Sequence, residues 1–205
     1  PVYVRESATY CCKFPAMAFP WGDERRFNSY SGYFRRLFGE RVQKLTVNAG
    51  FTCPNRDGTV GSGGCTFCNN EAFTPSYCMG DGSIEWQLRE GIGFHANRYR
   101  KAEKFLAYFQ SFSNTYAPLA RLKEVYEQAL ALPEVVGIIV GTRPDCVDGE
   151  KLDYLAELAR THYVAVEYGI ESCNDQTLRL VNRGHDFACA RKAVEQTAQR
   201  GIHVG

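Results

Sequence analysis

Short apolar runs alternate with amphipathic helical stripes along most of this 205-residue chain, and that alternation restricts its fold more than any other feature. Val42 to Asn48 alternates apolar with polar positions. Phe105 to Phe109, Val135 to Val140 and Val164 to Ile170 are short runs rich in branched or aromatic residues, as strands covered on both faces are. Between them, Ile84, Leu88, Ile92 and Ala96 recur at four-residue steps behind Ser83 as N-cap, and Leu119, Leu122, Val125, Ala129 and Leu132 follow Pro118. Leu152, Leu155 and Leu158 make a third stripe behind Asp148. A fourth helical region is split by Gly184: Thr177 to Val181 lies before it, and Phe187, Ala190, Ala193, Val194 and Thr197 lie after it until Gly201. Such βαβ repetition predicts an α/β fold of parallel strands with right-handed crossovers, either a barrel or an open sheet.

Residues 1–41 show no clean period and read as an irregular N-terminal lead-in before a core of residues 42–205. The sequence stops as a fifth strand begins and starts at Pro1, so it reads as a truncated piece. With 44% hydrophobic residues, the chain is able to bury one sizeable core. Twenty-four basic against 23 acidic residues supply no general attraction to nucleic acid or to a membrane surface. There is no apolar run of spanning length and no charged segment followed by an apolar core, so a cytoplasmic location without a membrane partner is expected. Nine cysteines, an odd number, favour reduced thiols or metal ligands over a disulfide framework.

Three of those cysteines stand apart. Cys53, Cys65 and Cys68 punctuate a glycine-rich loop directly after the first strand, with eleven and then two residues between them. A structural zinc site takes four protein ligands, whereas an iron–sulfur cube held by three thiolates keeps one iron open for something that is not protein. Gly50, Gly58, Gly61, Gly63 and Gly64 let the backbone turn closely and leave amides for sulfide. The alternative is a zinc-stabilised, non-catalytic binding module with Cys78, nine residues intervening after Cys68, as fourth ligand.

The segment VQKLTVNAGFTCPNRDGTVGSGGCTFCN, residues 42–69, resembles the cluster loop of radical S-adenosylmethionine (radical SAM) enzymes. Its long first gap is similar to that of the YhcC-like clade, related to the elongator catalytic subunit. Further motifs follow in the family's order at strand ends: Tyr108-Phe109-Gln110-Ser111-Phe112, Gly141-Thr142-Arg143-Pro144-Asp145-Cys146, Glu167-Tyr168-Gly169-Ile170-Glu171, and Asn182-Arg183-Gly184-His185-Asp186. The resemblance implies a partial TIM-like (β/α)6 barrel, cut after about four and a half βα units. It also implies a [4Fe–4S] cluster on Cys53, Cys65 and Cys68, with S-adenosyl-L-methionine chelating the open iron. The implied activity is an oxidoreductase-type one: reductive cleavage of that cofactor to methionine and a 5′-deoxyadenosyl radical that abstracts hydrogen from substrate.

Residue by residue, the resemblance puts Phe67 against the adenine, where plain core packing is the other reading. Ser111, Phe112 and Ser113 lie where relatives contact the methionine amino group, although the glycine pair of those relatives is missing. It places Glu171 on the ribose and Arg183 on the methionine carboxylate, for which a guanidinium is well suited. Gly141 stands where some relatives carry a ribose-binding glutamate. Arg143, Asp145 and Cys146 face the mouth as either a buried ion pair or catalytic groups, and His185 and Asp186 cap the next helix. An electron donor such as flavodoxin or ferredoxin is implied as partner, and RNA is a candidate substrate by analogy alone. No residue is assigned to hydrogen abstraction.

Overall fold

The computed structural model describes residues 19–22, 24–70, 72, 74–79, 82–96 and 102–205. Cys11 and Cys12, which show no metal spacing in the sequence, lie outside them. Two compact units divide the chain, residues 1–40 and 41–205.

In the first unit, helix α1 spans Tyr30–Phe38, where the sequence reading expected irregular chain. Ser29 Oγ accepts from the Gly32 amide at its start, and Gly39, in the left-handed region at φ +76°, closes it. Tyr30, Phe34 and Phe38 stack at four-residue steps, with centroids 4.5 and 6.0 Å apart. That stripe of three rings within nine residues is a signal too short to stand out as a period.

The second unit is built on five parallel strands in the order β1 (Val42–Val47), β2 (Lys104–Phe109), β3 (Val135–Thr142), β4 (Tyr163–Tyr168) and β5 (His203–Val204). Sequential order with each crossover turning the same way is the winding of a barrel; a doubly wound sheet would reverse its order. Between the strands run α2 (Ile84–Ala96), α3 (Leu119–Leu130), α4 (Gly149–Leu158), then α5 (Asp175–Leu180) and α6 (Phe187–Gln199). Three of their caps are those the sequence announces. Ser83 Oγ accepts from Trp86 N, Asp148 from Lys151 N and Asp186 from Cys189 N.

Alternation sorts each strand onto two faces. Leu45, Phe105, Ile138, Val140, Val164 and Val166 pack outward against Leu88, Leu122, Val125, Leu152, Leu155 and Ala193 of the helices. Burying each such aliphatic side chain contributes about 1.5–3 kcal/mol. The opposite face carries Lys44, Thr46, Tyr108, Gly141 and Glu167, in neighbouring registers. On a flat sheet β1 and β4 would stand roughly 14 Å apart, three spacings of about 4.8 Å. Yet Lys44 Nζ reaches Glu167 Oε1 at 2.7 Å and lies 4.4 Å above the Tyr108 ring. The sheet therefore curls around this polar face, as a partial barrel does.

Candidate active site

At the C-terminal ends of the strands the loops close around a cavity of about 480 Å³, a volume suited to a small-molecule cofactor. Its wall includes Cys53, Cys65 and Cys68. The eleven-residue gap folds back on itself to bring the first two together. Val60 N and Gly61 N both donate to Pro54 O, and Gly64 N donates to Asn55 O. A side chain at Gly61 would displace Asn55, because a Cβ there would lie 2.3 Å from Asn55 Oδ1. Gly64, at φ +83°, turns the chain into Cys65.

The sulfurs are surrounded by donors. Arg183 Nη1 lies 3.3 Å and Asn55 Nδ2 3.5 Å from Cys65 Sγ, while Arg56 Nη1 and Asn70 Nδ2 each lie 3.5 Å from Cys68 Sγ. Sulfur accepts well only when it carries negative charge, so this donor set suits thiolates or a cluster. It also corrects one expectation. The amides of Gly50, Gly58, Gly61 and Gly64 all donate to protein oxygens, so these four do not serve sulfide and the sulfurs take side-chain donors. Asn55, Arg56 and Asn70 escaped the sequence reading; the only signal was asparagine and arginine lying within three residues of a ligand.

Among the described residues no three His, Cys, Asp or Glu side chains close around a single ion. A cube binds its thiolates at separate corners and needs them further apart than one ion does. Cys78, the fourth ligand of the zinc alternative, is not at this cavity. Its thiol, sealed between α2 and β1, donates to Thr46 O at 3.2 Å, and burial pushes it up to about 11. The zinc site closed by Cys78 is therefore not formed.

The cofactor positions divide. Phe67 stands on the cavity wall, 51% exposed, which argues against plain core packing. Phe112 and Glu171, at the exits of β2 and β4, both line the cavity and both hold left-handed backbone, φ +66° and +68°. For residues other than glycine that conformation costs of order 1–2 kcal/mol and concentrates where a ligand is held. Ser113 is fully buried at the cavity wall, with its hydroxyl turned to the Cys146 thiol. Ser111 is different: it is turned off the wall, its hydroxyl 3.2 Å from Thr74 Oγ1, and Gln110 takes the place at the cavity. At Gly141 a Cβ would stand 3.0 Å from Phe109 O, so a larger residue there needs β2 to yield by a few tenths of an ångström.

Arg183 lines the cavity but is built into its wall. Besides Cys65, it donates from Nη2 to Gly169 O and from Nε to His185 Nε2 at 3.0 Å. His185 is thereby an acceptor for this arginine and not a helix cap; burial foremost, with the Arg183 charge, lowers its ring below the ordinary value. A Cβ on Gly169 would meet Arg183 Nη2 at 2.7 Å, which fixes glycine in that motif. Arg143, only 2% exposed, resolves as the buried ion pair. Its Nε and Nη2 hold both carboxylate oxygens of Asp145 at 2.8 and 2.7 Å, and Nη1 donates to Arg183 O. Cys146 is buried beside it.

Over 182 residues the chain is 41% identical to protein YhcC of Escherichia coli (strain K12), covering 88% of this chain and 57% of that protein. It is 40% identical over 194 residues to YtqA of Bacillus subtilis (strain 168), covering 91% and 58%. The chain thus spans a little over half the length of the curated relatives it matches. In fold it is similar to archaeal Methanocaldococcus infernus Elp3 with residues 1–46 deleted, at TM-score 0.54 and 16% identity over 80% of this chain and 36% of that one. Native anSMEcpe with bound AdoMet superposes at TM-score 0.50 and 17% identity, over 80% and 42%. Residues 52–205 match the radical SAM superfamily as a whole, and with that match, the parallel curled sheet and the cysteine loop at its mouth, the chain belongs to that superfamily.

Proposed function

We propose that this protein holds a [4Fe–4S] cluster on Cys53, Cys65 and Cys68 and binds S-adenosyl-L-methionine in the adjoining cavity. The observation that carries the reading is the shared placement of three thiols on one cavity wall, with Asn55, Arg56, Asn70 and Arg183 aimed at two of their sulfurs. When bound, the pair supplies one-electron cleavage of a carbon–sulfur bond, which yields methionine and a 5′-deoxyadenosyl radical for an oxidoreductase-type reaction on a substrate not named by these residues.

The chain's own residues supply position and shelter. Phe67 offers a ring face to the adenine, Glu171 a carboxylate to the ribose hydroxyls, and the Ser113 hydroxyl with the Phe112 backbone the polar partners of the amino-acid end. Ser111 supports that turn from behind through Thr74. Arg183 and the loops it joins close the wall. A flavodoxin- or ferredoxin-like protein is the fitting electron donor, and the cytoplasm, where free thiols persist, the fitting compartment. No helix among the described residues is long and apolar enough to cross a membrane.

The test uses the full-length protein reconstituted anaerobically with iron and sulfide. Four irons per chain, brown absorption, and release of 5′-deoxyadenosine and methionine on reduction with dithionite are expected, and Cys65→Ala is expected to lose all three. Zinc in place of iron, or iron retained in Cys65→Ala, overturns the reading.

A further inference from the structure

The geometry points to Arg183 as the residue that sets the electron affinity of the cysteine site, acting through the Cys65 sulfur. This rests on the cluster reading above. Three of its five N–H groups donate to protein acceptors and fix its plane: Nη1 to Cys65 Sγ at 3.3 Å, Nε to His185 Nε2 at 3.0 Å, and Nη2 to Gly169 O. The residue is only 7% exposed.

Its position is determined from every side. Arg143 Nη1 holds the Arg183 carbonyl at 2.8 Å, and Arg143 is itself pinned by both oxygens of Asp145. Thr66 N donates to Val181 O at 3.1 Å, Asn182 Nδ2 to Gly64 O at 2.8 Å, and Asn55 Nδ2 to Asn182 O, so the turn bearing Arg183 is stapled to the loop bearing Cys65. Gly184, at φ +79°, leaves no room for drift, since a Cβ there would sit 2.8 Å from Val60 Cγ1.

A buried cation donating to a ligand sulfur favours the more negative, reduced state of the cluster, because low surrounding polarity leaves its charge unscreened. Arg56 makes the matching contact to Cys68 at 3.5 Å, but it is exposed over the Phe112 ring, where solvent and salt screen it. Arg183 is therefore the stronger of the two.

The experiment is an EPR-monitored redox titration, without S-adenosylmethionine, of the reconstituted full-length protein and its Arg183→Gln, Arg183→Lys and Arg56→Gln variants, with iron and sulfide analysis of each. Expected is a midpoint potential more negative than wild type in Arg183→Gln, a smaller negative shift in Arg183→Lys, and the least in Arg56→Gln. If Arg183→Gln does not fold, the Arg183→Lys shift decides. Full cluster content with an unchanged potential in the folded Arg183 variants overturns the inference. A wild-type protein that takes up no four-iron cluster overturns the function proposed above instead.

Discussion

Cys146 sits at the exit of β3, next to an arginine and a carboxylate, and its surroundings decide what it is able to do. Burial foremost, then the Asp145 charge, pushes its thiol up to about 12. The thiolate is the nucleophile, so at neutral pH almost none is present. Cys78 is held up at about 11 by burial alone. Cys173, by contrast, is exposed. Iodoacetamide added to the folded protein at pH 7.5 is expected to label Cys173 first and to leave Cys146 and Cys78 unmodified until denaturant is added. Peptide mass spectrometry reads this directly; early labelling of Cys146 would return it to the list of reactive groups. At this scale the cysteine triplet was legible because ligand spacing is a property of sequence. The donors to the sulfurs were not, because Arg183 lies 118 residues from Cys65 and only the fold brings them together.

At the scale of elements, periodicity found β1 to β4 to within two residues, and N-caps placed the starts of α2, α4 and α6, because a capping side chain acts on its own helix. Helix α1 was missed since its stripe is three rings long. Close packing between strands was equally invisible. Gly137 on β3 lies against β4, and a Cβ there would stand 2.0 Å from Tyr163 O, a backbone atom unable to move aside alone. Gly137→Ala must spread the two strands. Overpacking of this kind costs about 1–3 kcal/mol, which for a chain of this size lowers the thermal midpoint by roughly 2–12 °C. Calorimetry or circular dichroism checks it, and an unchanged midpoint would show that the pairing yields without cost.

Across the whole second unit, the choice between barrel and open sheet was closed to periodicity, because both present the same run of βα units. What separates them is curvature, recorded by Lys44 and Glu167. The two are partly exposed, 27% and 34%, so their pairing contributes little energy and reports mainly on shape. A double-mutant cycle with Lys44→Ala and Glu167→Ala is expected to give a coupling of about 0.2–1 kcal/mol. Zero coupling would mean that β1 and β4 do not meet across the polar face. The stapled turn at Val181–Gly184 has a consequence at this scale too. It ties the exits of two strands to one guanidinium, through Cys65 Sγ and Gly169 O, while Arg143 from a third holds the Arg183 carbonyl, so anything that displaces Gly169 tugs on the same group that touches Cys65. With the cluster and cofactor proposed above in place, occupancy of the cavity and readiness to accept an electron are linked in both directions, as thermodynamic reciprocity demands: a filled pocket alters the reductant's task, and a charged cluster alters the guest's grip.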